Sequence, residues 1–125
     1  VIGVDYSSAA IEIAQGFVTD DRAKFYELPL NRVSEIQESG FEVVYLMDVL
    51  EHVSNEEWTE CFIELKLKLV KDCTIIGKTP SRPMGQYFNM HNNYHTLKSL
   101  QNLFGIFSYA RIYVENIGFI VEAKA

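Results

Sequence analysis

Three side chains able to do chemistry crowd the end of one apolar run. Asp48, Glu51 and His52 follow Phe41-Glu42-Val43-Val44-Tyr45-Leu46-Met47, and Val53 follows them. A carboxylate accepts hydrogen bonds or holds a cation, and imidazole is the side chain that changes charge nearest neutral pH. The trio therefore has the parts to hold a polar ligand and move a proton. Residues 43–47 are too few and too β-branched for a helix, and they do not alternate, which predicts a strand covered on both faces. Polar groups just past the carboxyl end of such a strand lie where open α/β sheets bind ligands. A second cluster, His91-Asn92-Asn93-Tyr94-His95-Thr96, stands further along. Its two histidines precede a helix cap and have no carboxylates spaced to complete a zinc set, so no metal site is expected. A third candidate is Asp5, which ends the opening stretch Val1-Ile2-Gly3-Val4.

The elements that must position these groups alternate between strand and helix, which predicts an α/β fold with a mostly parallel sheet. Strands are expected at residues 1–4, 23–28, 42–47 and 73–77. Ser7 or Ser8 can cap a helix running to about Gln15, with Gly16 closing it. Residues 31–39 read as a short helix with Val33 and Ile36 inward. Ser54-Asn55-Glu56-Glu57 has capping-box form, and Trp58, Phe62, Leu65 and Leu69 then make one apolar stripe, read as core. Thr96 caps a further helix with Leu97, Leu100, Leu103 and Phe104 inward. Two β-rich runs, 108–114 and 117–123, separated by Glu115-Asn116, predict an antiparallel hairpin at the sheet edge.

The chain has 125 residues, 48% of them hydrophobic, which suits a single domain with one core. No apolar run approaches the ~18–20 residues of a membrane span, and the start lacks the pattern of a signal peptide. The net charge of −6, from 11 basic and 17 acidic residues, offers no footprint for nucleic acid. Cys61 and Cys73 lack metal-ligand spacing and read as reduced thiols in a cytoplasmic protein.

The order of elements, and above all the runs 41–53 and 69–83 with their Glu-His-Val turn, resembles the class I S-adenosylmethionine-dependent methyltransferases. Within them it is most similar to the small-molecule O-methyltransferases of the ubiquinone-pathway type. The resemblance covers essentially the whole chain and implies a Rossmann-like fold, S-adenosylmethionine as cofactor and a small-molecule methyl acceptor. On the resemblance, Asp5 takes the ribose hydroxyls of the cofactor, and Tyr6 packs beside adenine or ribose. A carboxylate has two acceptor oxygens for the two donors of a cis-diol. Glu27-Leu28-Pro29-Leu30 matches the loop beside adenine, where either Glu27 accepts from the amino group or Leu28 supplies an apolar wall. Asp48 comes near the methionyl part. Glu51 and His52 lie toward the substrate, with His52 a candidate general base. The segment with His91, Tyr94 and His95 overhangs the active site, and residues 80–89, with Arg82, Gln86 and Tyr87, shape the acceptor pocket.

One departure stands out. The family's glycine-rich strand-to-helix turn is absent, and its strand would lie between those at 1–4 and 42–47. The expectation is a partial domain, lacking the first strand and helix, with a gap or an imperfect contact at that place in the sheet. Two rival readings are an NAD-dependent oxidoreductase, which Asp5 would suit equally, and a non-catalytic methyltransferase-like interaction domain. Neither the methyl acceptor nor the oligomeric state follows from the sequence.

Overall fold

The computed structural model describes residues 1–81, 92–116 and 118–125. Two units emerge, Val1–Gln37 and Glu38–Ala125. In the first, strands β1 (Ile2–Asp5) and β2 (Lys24–Glu27) pair in parallel, with Asp5 opposite Glu27. Helix α1 (Ser8–Phe17) makes the crossover. Ser7 caps it, its hydroxyl accepting from the Ala10 N–H at 3.4 Å. Gly16 does not close the helix as expected but lies in its last turn, and Val18 ends it through an N–H to the Ala14 carbonyl at 2.9 Å. Pro29 halts the chain after β2. The short helix expected at 31–39 is a 3-10 stretch, Leu30–Glu35, broken by the non-helical angles of Arg32. Val33 and Ile36 are nonetheless buried, as their spacing predicts.

The second unit is a four-stranded sheet in the order β3-β4-β6-β5. Strand β3 (Phe41–Met47) pairs in parallel with β4 (Leu69–Pro80), which pairs antiparallel with β6 (Gly118–Lys124). Strand β5 (Tyr109–Glu115) closes the hairpin with β6, turning through Asn116 at φ 54°. The parallel β3–β4 pair needs a long crossover, which helix α2 (Asn55–Lys66) provides. The expected capping box is present: the Ser54 hydroxyl accepts from the Glu57 N–H at 3.2 Å, and the Glu57 carboxylate accepts from the Ser54 N–H at 3.2 Å. Trp58, Phe62 and Leu65 are buried along one face. The Phe62 ring lies 5.3 Å from Trp58 and 5.1 Å from both Phe104 and Phe107, spacings at which tilted aromatic rings attract. Leu69 is not the end of that stripe. The chain leaves the helix at Leu67 and Lys68, and Leu69 opens β4. Helix α3 (Leu97–Leu103) carries its own box between Thr96 and Ser99. It buries Leu100 and Leu103 but leaves Leu97 45% exposed, against expectation.

Strand β3 differs from its reading in one respect. It is an edge strand, with β4 as its one hydrogen-bonded neighbour among the described residues. Leu46 is buried, but the opposite face, carrying Val43, Tyr45 and Met47, is 44%, 67% and 51% exposed. The apolar run therefore marks a strand covered on one face. β1 and β3, between which the sequence predicts a gap or an imperfect contact, lie in separate sheets and share no hydrogen-bonded ladder.

Candidate functional site

Strand β3 ends in a deliberate change of direction. Asp48 adopts φ 52°, a left-handed conformation that Asp tolerates better than most residues because its short side chain bonds locally. Its N–H donates to the Lys78 carbonyl at 2.9 Å, and its carboxylate lies 3.5 Å from the Lys78 ammonium. Both side chains are about half exposed, so this pair contributes little stability. A ligand cation can displace the ammonium at small cost. The reversal sends the chain into the 3-10 turn Leu50–His52, and Leu50 and Glu51 go inward.

A 3-10 turn of three residues leaves most of its carbonyls without internal partners. Here residues 92–95 supply them. The Leu50 carbonyl accepts from Trp58 Nε1 at 3.2 Å and lies 3.0 Å from His95 Nε2. The Glu51 carbonyl accepts from the Asn93 N–H at 2.9 Å, and the His52 carbonyl from Asn92 Nδ2 at 3.2 Å. Asn93 Nδ2 donates to the Val53 carbonyl at 3.0 Å and to Asn55 Oδ1 at 2.9 Å. Four successive carbonyls are thus bonded by one short segment, which brings together two of the clusters singled out from the sequence.

The candidate residues then separate by exposure. His52 is partly exposed, its side chain at 37%, and its Nε2 stands 4.0 Å from Glu51 Oε1. Glu51, expected to face substrate, is 3% exposed, and its Oε2 accepts from the fully buried Thr79 hydroxyl at 2.9 Å. His95, expected among the catalytic histidines, is 4% exposed with its ring on the Leu50 carbonyl, because a buried imidazole must find a polar partner and the turn offers one. Tyr94 is exposed at 39%. His91, Arg82, Tyr87 and most of the expected loop lie outside the described residues. Sequence reasoning missed the roles of Thr79, Asn92 and Asn93. The signal was present in the adjacent asparagines, whose amides readily donate to main-chain carbonyls.

In the first unit, Asp5 ends β1 exposed, in register with exposed Glu27. Asp5 Oδ1 accepts from the Ser7 N–H at 2.8 Å, and its backbone carbonyl from the Leu28 N–H at 2.9 Å. That local bond fixes the carboxylate while Oδ2 has no partner among the described residues. Tyr6 is 79% exposed beside it, and Leu28 half-buried. Among the described residues, no three His, Cys, Asp or Glu side chains gather as a metal-binding group, and no helix is long and apolar enough to cross a membrane.

Parallel strands joined by helical crossovers, acidic residues at their carboxyl ends and a terminal antiparallel hairpin define a Rossmann-like methyltransferase fold. Solved structures share it. A SAM-dependent methyltransferase from Archaeoglobus fulgidus superposes with a TM-score of 0.77 at 13% identity, over 99% of this chain and 75% of that one. The magnesium protoporphyrin IX methyltransferase of Synechocystis, solved with bound SAH, gives 0.66 at 16% identity, over 99% and 63%. A candidate O-methyltransferase from Nostoc punctiforme gives 0.74 at 16% identity, over 99% and 43%. The chain thus spans less than two thirds of these last two proteins. No family model matches the sequence, and no curated protein does. At such identities the likeness shows the fold.

Proposed function

We propose that the full-length protein moves a methyl group from S-adenosylmethionine to an oxygen or nitrogen of a small molecule, both units being parts of one methyltransferase domain. The observation that carries this reading is the anchored turn Leu50–Asn55, which holds a partly exposed His52 beside a buried carboxylate just past a parallel strand. The residues present suit the cofactor chemically. Asp5 keeps an acceptor oxygen for a ribose diol, Glu27 stands next to it in register, and the Asp48 carboxylate can receive an ammonium in place of Lys78. When bound, S-adenosylmethionine supplies an electrophilic methyl on a sulfonium. Transfer in line with the leaving sulfur needs chiefly the positioning of the acceptor, so few acid–base groups are required. His52 takes the proton that the acceptor atom loses. The imidazolium so formed has the Glu51 carboxylate 4.0 Å from its Nε2.

The test has two arms. S-adenosylhomocysteine should raise the melting temperature of the full-length protein, whereas NAD should not. His52→Gln should lower turnover by ~10²-fold with S-adenosylhomocysteine binding retained. A shift with NAD alone would favour the oxidoreductase reading. Unchanged turnover in the variant would make His52 a structural turn residue.

A further inference from the structure

The geometry points to Glu51 as a positioning residue that aims His52, an inference that rests on the base role proposed above. Glu51 is held both through its side chain and through its backbone. Through its side chain it takes the Thr79 hydroxyl at 2.9 Å, near the end of β4. Through its backbone carbonyl it takes the Asn93 N–H at 2.9 Å, ahead of α3. Its remaining oxygen, Oε1, stands 4.0 Å from His52 Nε2. A carboxylate 3% exposed is costly to bury, and the one hydroxyl donor it has among the described residues meets only part of its capacity. Among the described residues, the His52 imidazole is the basic group within 4.0 Å of the carboxylate, an attraction that favours one orientation of the ring. Because Glu51 and His52 are adjacent in the chain, a shift of the Glu51 side chain turns the backbone that carries the ring. A substrate contact by Glu51 is disfavoured by the same burial, which leaves the residue almost no surface to offer an acceptor.

Three variants separate these roles: Glu51→Ala, Glu51→Gln and Thr79→Val. The readouts are the ring resonances of His52 in isotope-labelled protein, assigned with His52→Gln, and turnover of the full-length protein with its acceptor KM. Glu51→Ala should move the His52 resonances and lower kcat by ~10-fold or more at nearly unchanged acceptor KM. Glu51→Gln keeps an acceptor oxygen for Thr79 but turns an amide N–H toward His52 Nε2, so it should move the resonances and lower kcat as Glu51→Ala does, at nearly unchanged acceptor KM. Thr79→Val removes the same bond from its other end and should move the resonances in the direction Glu51→Ala does, which keeps the test usable if Glu51→Ala does not fold. Undisturbed His52 resonances in Glu51→Ala or, failing that, in Thr79→Val would overturn the inference. So would a Glu51→Gln protein as impaired as Glu51→Ala with a raised acceptor KM, since that marks a charge contact with substrate. If His52→Gln leaves turnover intact while Glu51→Ala still moves the ring, the base role fails and the positioning stands.

Discussion

At the scale of single residues, the same side-chain type takes different roles according to where the backbone puts it. Asp5 and Glu51 are both carboxylates near strand ends, yet one is exposed with an acceptor oxygen to spare and the other is buried on a threonine. Asp5→Ala in the full-length protein should weaken S-adenosylhomocysteine binding by about 1.5–3 kcal/mol, the scale of hydrogen bonds to a charged group, measured by calorimetry. Unchanged affinity would remove Asp5 from the ribose site. The cysteines make a separate case. Burial pushes the Cys61 thiol from 9.0 up to about 12. Between those values the unfolded chain has lost the proton and the native chain keeps it. The native state then binds more protons, so stability falls as pH rises through that window. At pH 8 Cys61 should resist a thiol reagent in the native protein and react in denaturant. Rapid native labelling of Cys61, located by peptide mapping, would contradict its burial.

Elements were legible where the local signal and the tertiary need agree. The Ser54 and Thr96 boxes are read correctly because a cap is a local hydrogen bond between residues three apart. Ser54→Ala should cost about 0.5–2 kcal/mol in chemical denaturation. The burial of Val33 and Ile36 was also legible, although the helix expected around them is a kinked 3-10 stretch, since spacing reports the inward face more reliably than the type of turn. The coverage of β3 was not legible. A run of apolar residues says that a strand is apolar on both faces, and cannot say whether anything packs on each of them. The bond between residues 92–95 and the turn was hidden for a related reason: it joins segments about forty positions apart, through main-chain carbonyls that any sequence presents. Its worth can be measured. Asn93→Ala removes two side-chain bonds, to the Val53 carbonyl and to Asn55, and should cost about 1–3 kcal/mol, since it leaves part-buried acceptors unpaired. Asn93→Asp should not rescue it, because a carboxylate cannot donate. A full rescue by Asp would show that the amide donor is not what holds the turn.

At the scale of the whole molecule, the two units differ in how much each has to hold it together. Val1–Gln37 pairs two four-residue strands and buries Ile11, Val33 and Ile36. Two-stranded ribbons of that length are marginal in water by themselves. Glu38–Ala125 buries Trp58, Phe62, Phe104, Leu50, Ile75, Leu100 and Val121 almost completely, and two of its strands, β4 and β6, have neighbours on both sides. Amide protection follows the free energy of the opening that exposes each group, so strands flanked on both edges open last. Hydrogen exchange followed by mass spectrometry should therefore rank β4 and β6 slowest, β3 and β5 faster as edges, and β1 and β2 faster still. A ligand held through Asp5 would order the first unit and slow exchange in β1 and β2 selectively, because binding energy adds to the cost of opening only those segments that make the site. Equal protection of β1 and β4 without ligand would mean that the first unit draws stability from well beyond its own ladder and its three buried side chains.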